Sequence, residues 1–221
     1  MIADSVGLYE AVHSCRAVRR LRPDPIPEAV LDRVLHAAVC GPSGGNAQPW
    51  RVVLLREPGR KQRLAGLYRA NWDSYRDEAA ARMQRLPEDK RARGLRILAA
   101  SDYLAQHLAE APVILLFFHN VDAMVDPGEL GVYPQALLGA SLYPAIQNLL
   151  LACRAEGLGG VLTTMLWRES AAIAALVGAP APWTFHALVP IGYPLGKGHG
   201  PLNRKPLATM AYDEEWNNHH A

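Results

Sequence analysis

Pro42-Ser43-Gly44-Gly45-Asn46-Ala47-Gln48-Pro49-Trp50 joins a segment of helical periodicity to one that reads as a strand. Upstream, Val30, Leu31, Val34, Leu35 and Ala38 share one face at the helical period. Downstream, Val52-Val53-Leu54-Leu55 is the continuous apolar run of a buried strand. Between them, the paired glycines let backbone N–H groups approach a ligand with no Cβ in the way. Asn46 and Gln48 add amides that both donate and accept along the polar edge of a planar molecule. A Gly/Ser/Pro cluster in this position also serves as a plain connector, so the loop alone leaves two readings open.

Working outward, the spacing predicts a first helix from about Val6 to Cys15 and a second opening at Pro27, where a missing N–H costs nothing and Glu28 complements the helix dipole. After a Trp50–Arg56 strand, Pro58 opens a helical region reaching about Arg85, and a further helix lies near Arg91–Ala111. Val113-Ile114-Leu115-Leu116-Phe117-Phe118 is the clearest strand. Asn120 to Pro134 reads as a loop, followed by a long apolar helix with Ile146, Leu149, Leu150 and Cys153 on one face. Gly157 suits its left-handed C-cap. Val161–Thr164 reads as a short strand, Arg168–Val177 as a short helix closed by Gly178, and Phe185–Ile191 as a last strand. Strands and helices mix without a regular βαβ alternation, which predicts one α+β domain over 1–221 with a mostly antiparallel sheet.

Bulk properties narrow the function. The chain has 221 residues, half of them hydrophobic and a fifth charged, with 23 Lys+Arg against 21 Asp+Glu and a net charge of +2. That balance argues against a general nucleic-acid or membrane binder. Basic residues between Lys61 and Arg96 alternate with Asp77, Glu78, Glu88 and Asp89, as on a solvated helix face. Cys15, Cys40 and Cys153 form neither a CxxC motif nor a disulfide framework, which favours a reducing cytoplasm, and no signal-peptide core opens the chain. Leu130 to Cys153 carries no charge, but its Pro, Gln and Asn residues suit a buried helix rather than a membrane span. His219-His220 is too short to argue for a metal site and reads as a flexible tail. Neither GxGxxG after a strand nor a P-loop occurs. No Ser/His/Asp set, carboxylate pair or metal-ligand spacing stands out, which fits a protein whose cofactor performs the difficult chemistry.

Four separated elements resemble the flavin-dependent nitroreductase family. They are Cys15-Arg16-Ala17-Val18-Arg19-Arg20-Leu21, the Pro42–Trp50 loop, Ala145–Ala152 with Glu156–Thr164, and Pro190–Pro194 with Gly200-Pro201 and Arg204–Leu207. The resemblance implies a three-layer α+β fold and a homodimer with FMN at the subunit interface. Arg16 and Ala17 would lie at the ribityl-phosphate end, joined there by Arg204, and Arg19 at the pyrimidine edge. Pro42, Ser43, Gly44, Gly45, Asn46 and Gln48 would meet the flavin from the loop, and Gly159, Gly160, Leu162 and Thr163 from the third element. NADH or NADPH would deliver hydride to flavin N5, and a nitroarene, quinone or related small acceptor would then remove it, in ping-pong order with no protein acid or base. The segment of about 61–102 matches no motif and would cover the flavin and select the acceptor. Other chemistries of the superfamily stay open, among them dehalogenation, enone reduction and breakdown of FMN, as does a non-catalytic FMN-binding role. This chain departs from the commoner Arg-Arg-Ser pattern, with Cys15 and Ala17 in place of its first Arg and its Ser. One phosphate-binding cation and one hydroxyl are therefore missing.

Overall fold

A computed structural model describes residues 6–120, 122, 134–216 and 218–220, with backbone only for 134–138. The helices are α1 (Leu8–Ser14), α2 (Glu28–Val39), α3 (Pro58–Gln84), α4 (Glu88–His107), α5 (Pro134–Ala155) and α6 (Ser170–Val177). The strands are β1 (Trp50–Leu55), β2 (Val113–Asn120), β3 (Gly159–Gly160) and β4 (Trp183–Gly192), in the spatial order β1-β2-β4-β3 with every pair antiparallel.

β2 decides the layering. It pairs Val53 with Leu116 on one side and Leu188 with Leu116 on the other, so it is central. Both of its faces are buried, which is why its sequence is continuously apolar rather than alternating. Ile114, Leu116 and Phe118 pack with Leu64, Tyr68 and Trp72 of α3, Leu104 of α4 and Ile173 of α6. Val113, Leu115 and Phe117 point the other way, to Leu31 and Val34 of α2 and to Leu142, Ile146, Leu149 and Cys153 of α5. Helices on both sides of an antiparallel sheet give the expected three-layer α+β fold.

Local chemistry explains the element boundaries. The Glu57 carboxylate caps α3 by accepting from the N–H groups of Gly59 and Arg60, both at 2.7 Å, with Pro58 in the first turn. Leu64, Tyr68, Trp72 and Ala79 form its buried stripe. α4 starts at Glu88 rather than near Arg91, because Pro87 breaks the chain and Glu88 and Asp89 favour the dipole of a new first turn. Gly157 and Gly178 adopt φ of 73° and 71° at helix ends, where a side chain would be strained.

Val161–Thr164 does not form the expected strand. The ladder is carried by Gly159 and Gly160 opposite Gly192 and Ile191, and Thr163 makes only an isolated bridge to Leu188. A Cβ on Gly159 would stand 2.7 Å from the Val18 side chain, and one on Gly160 3.0 Å from the Pro190 carbonyl. The backbones therefore meet where the glycines are, and Val18 N–H donates to the Gly160 carbonyl at 2.9 Å. The chain end also differs from a loose tail: Tyr212 bridges His219, and His220 Nδ1 lies 2.9 Å from the Asp213 carboxylate. Most of the 120–134 loop lies outside the described residues.

Among the described residues, no helix is long and apolar enough to cross a membrane. α5, uncharged up to Arg154 in its last turn, hides Leu142, Ala145, Ile146, Leu149 and Cys153 within its own chain. Exposed apolar surface instead collects on α1, at Leu8, Tyr9 and Val12, and near the C-terminus, at Leu207, Met210 and Trp216.

Candidate functional site

The extended segment after α1, the α3–α4 hairpin and the turn after β3 enclose a cavity of about 300 Å³. Arg19, Leu162 and Thr163, all candidate site residues of the sequence, line it together. Tyr68, Trp72 and Tyr75 of α3 add aromatic walls, and Ile97 and Ser101 of α4 face them. The 61–102 segment thus supplies much of the wall of this cavity.

Arg19 is half-buried, with no carboxylate partner among the described residues. Burial pulls its pKa down, while the Tyr68 hydroxyl nearby acts in the opposite sense. A guanidinium held in this way favours a ligand that brings acceptors or negative charge. Tyr68 Oη lies 3.3 Å from Thr163 Oγ1, and burial pushes the phenol pKa up. Trp72 Nε1–H donates to Asp102 at 2.9 Å, and the other Asp102 oxygen accepts from Gln106 at 2.6 Å. That carboxylate is spent on positioning the indole and does not line the cavity.

A second set of polar groups lies at Arg16, whose Nε–H donates to the Gly198 carbonyl at 2.7 Å. Gly200 N–H donates to the Ser14 carbonyl at 3.1 Å, so the late glycine-rich loop is bound to the first motif. Ala17 is exposed and adds no polar side-chain atom. Arg204 is also exposed, and it donates to the neighbouring Asn203 carbonyl at 3.1 Å.

The Pro42–Gln48 loop stands apart. Gly45, Asn46 and Gln48 adopt φ of 56°, 54° and 48°, a left-handed set that glycine and asparagine tolerate best. Gly44 N–H donates to Ser141 Oγ at 3.1 Å, Gln48 N–H to Ser43 Oγ at 3.0 Å, and Gln48 Nε2 to Asn46 Oδ1 at 3.1 Å. A Cβ on Gly41 would stand 2.7 Å from the Ala145 backbone, so the loop is pinned against α5. The loop from Pro42 to Gln48 does not line the Arg19 cavity, and residues 44–48 are exposed. One chain therefore brings the first motif and the Leu162–Thr163 end of the third together, and leaves the second motif against the α5 part of the third.

Sequence reasoning missed a second cavity of about 320 Å³, lined by His119, Tyr143, Thr164, Trp167, Thr184 and His186. His186 Nε2 lies 2.9 Å from Tyr143 Oη. Burial, with His186 adding to it, pushes the His119 pKa down to about 4. Apart from Thr164, the last residue of the third motif, no motif points to these residues, because they come from elements far apart in the chain. Among the described residues, no cluster of His, Cys, Asp or Glu could hold a metal.

The pattern of the nitroreductase family matches residues 13–193, a span that contains the first three motifs and part of the fourth. The chain belongs to the nitroreductase family. It is similar over nearly its full length to proteins of several chemistries. It is 33% identical to a 5,6-dimethylbenzimidazole synthase of Rhodobacter capsulatus, over 95% of this chain and 94% of that protein. It is 30% identical to an NADH dehydrogenase of Thermus thermophilus, over 88% and 90% of the two. An iodotyrosine deiodinase, solved bound to FMN and 3-iodo-L-tyrosine, superposes with a TM-score of 0.63 at 25% identity, covering 90% of this chain and 94% of that one.

Within this nitroreductase-family chain, the Cys15 thiol stands where the commoner motif has a cation; among the described residues its hydrogen-bond partner is a backbone carbonyl, and the Arg154 charge acts on it from nearby. Cys15 Sγ lies 3.5 Å from the Leu150 carbonyl, and burial raises its pKa, so it stays a neutral thiol.

Proposed function

We propose that the protein binds FMN and uses NADH or NADPH to reduce nitroaromatic, quinone or related electron-poor acceptors, alternating the two substrates over one site. The observation that carries this reading is Arg19: a half-buried cation without a carboxylate partner among the described residues, on a cavity it shares with Leu162 and Thr163. When bound, the flavin supplies the hydride chemistry at its N5. The protein residues have simpler tasks. Arg19 places positive charge at the pyrimidine edge, where negative charge accumulates on reduction. Tyr75, exposed and backed by the buried Trp72, presents apolar surface to an aromatic acceptor and displaces water. Tyr68 and Thr163 fix the wall of the turn that carries Leu162. Gly159 and Gly160 keep that turn free of Cβ atoms, and no side chain is assigned as acid or base. Arg204 is assigned to the phosphate.

The position of the Pro42–Gln48 loop favours a homodimer, because a loop on the α5 layer reaches a flavin beside Arg19 only from a second copy. The exposed Leu8, Tyr9 and Val12 supply apolar surface for such an interface. Light scattering is expected to give twice the 24.2 kDa chain mass with FMN bound; a monomer that retains FMN rejects the arrangement.

Anaerobic NADPH or NADH should bleach the bound flavin, and a nitroarene or quinone should restore its absorbance. Bound FMN that neither nucleotide reduces would leave a binding protein. The likeness to a 5,6-dimethylbenzimidazole synthase gives a second reading, in which the flavin itself is consumed. Loss of FMN on aerobic turnover, followed by chromatography, would decide for it.

A further inference from the structure

Four charged or titratable side chains meet at the far end of the first motif. Arg16 donates to the Gly198 carbonyl at 2.7 Å and has no carboxylate partner among the described residues. Arg154 donates to Ser14 Oγ at 2.8 Å and to the exposed Glu10 carboxylate at 2.9 Å, which offsets part of its charge. His199 lies in the same loop as Gly198, and its Nε2 is 2.7 Å from the Leu158 carbonyl. A carbonyl only accepts, so Nε2 carries the hydrogen and Nδ1 is left with a lone pair in the neutral ring. Nδ1 is buried and has no hydrogen-bond partner among the described residues.

The loop bearing His199 is built to hold this position. Gly196 and Gly198 take φ of 84° and 63°, which side chains rarely adopt. Gly200 N–H anchors the loop to the Ser14 carbonyl. Among the described residues, nothing uses the free nitrogen. Burial, together with Arg154 and Arg16, lowers the His199 pKa, and the bond to Leu158 acts against this. The ring is therefore neutral at pH 7 until an anion arrives.

We propose that His199 is a phosphate-binding residue of this chain, taking a proton at Nδ1 and donating it to a phosphate monoester also held by Arg16. It thereby does for the phosphate what the Arg and Ser of the commoner motif do and what Cys15 and Ala17 here do not. The inference rests on the FMN reading above and names how this chain fulfils it. A phosphate monoester carries close to two negative charges above pH 7. Such a dianion reverses the local field set by Arg16, by Arg154 with its Glu10 partner, and by Lys197 on the same loop. Cys15 stays a neutral thiol throughout. The proton comes from solvent, so FMN binding takes up a proton and riboflavin binding does not.

The test is calorimetry of the full chain stripped of flavin, titrated with FMN and with riboflavin at pH 7.5. Two phosphate-free buffers of different ionisation enthalpy give the number of protons exchanged. The expected result is uptake approaching one proton for FMN and none for riboflavin. His199→Gln keeps an amide N–H for the Leu158 carbonyl and removes the second ring nitrogen. It should abolish the uptake and weaken FMN about 10- to 100-fold, the range for a charge-assisted hydrogen bond, with riboflavin affinity unchanged. Equal FMN affinity in the variant, or equal loss for both ligands, overturns the proposal. The proton count on the unmutated chain decides alone if the variant does not fold: no difference between FMN and riboflavin overturns it. A folded chain that binds neither flavin refutes the cofactor reading itself, an outcome distinct from FMN binding without proton uptake.

Discussion

Replacing Arg19 by Met removes a half-buried positive charge and keeps most of the side chain's length. In the flavin-free protein that charge is unfavourable where it stands, because burial lowers its pKa and no carboxylate faces it among the described residues. Arg19→Met should therefore leave the flavin-free chain as stable as before, or more stable. With FMN bound the sign reverses. A hydrogen bond to a charged group contributes roughly 1.5–3 kcal/mol, and only the part gained on reduction enters the flavin potential. If all of it enters, about 30 mV per 1.4 kcal/mol for a two-electron couple gives a fall of about 30–60 mV. Arg19→Lys keeps the charge without the planar fork and should fall between the two. The potential is measured by equilibration with redox dyes at saturating FMN, and hydride uptake by stopped flow. A potential that Arg19→Met leaves unchanged, or that Arg204→Ala shifts equally, refutes the placement of these arginines around the ring.

Three further outcomes are expected. Arg204→Ala should speed FMN dissociation about 10- to 100-fold while leaving the potential in place, since the phosphate keeps its charge in both redox states; gel filtration followed by flavin absorbance checks this. Asp102→Leu leaves the Trp72 indole N–H, in a residue only 3% exposed, without its acceptor, and should cost about 1–3 kcal/mol in denaturant melts and alter Trp fluorescence. His119 titrates near 4 in the folded chain against an ordinary value of 6.5. Its stabilisation is therefore complete above about pH 6.5 and is lost as pH falls through that window to about 4, by at most about 3 kcal/mol. His119→Leu should remove that part of the slope of stability against pH, and an unaltered slope refutes the assignment.

The fold is legible wherever a single physical demand dominates a segment. β2 must be buried on both faces, and nothing but a central strand suits Val113–Phe118. Glu57-Pro58 announces a helix start because a carboxylate and a proline satisfy the same orphan donors. The Gly159–Gly160 ladder is not legible, because strand reading follows side chains, and here the backbones approach only where side chains are missing. Side-chain pattern accordingly puts the short strand two residues late, on Val161–Thr164. Nor does the sequence show that Tyr212–His220 folds back on itself.

The candidate site divides along the same line. Motif order carries Arg19, Leu162 and Thr163, and the structure brings them to one cavity. Tyr68, Trp72 and Tyr75 stand out in the sequence only as members of an unmatched segment, since a helix with aromatic residues at this spacing reads equally well as core. What separates core from site is a partner far along the chain: Thr163 for Tyr68, and Asp102 for Trp72. The same holds at the phosphate end, where Arg16 meets Gly198 across nearly the whole sequence. His199 sits one residue beyond that bond, and its bare Nδ1 becomes visible only once the ring is docked on the Leu158 carbonyl. The motif set carries the chemistry that a family shares. Tyr68, Trp72 and His199 lie outside that set, and each acquires its chemical setting only when distant stretches of the chain close on it.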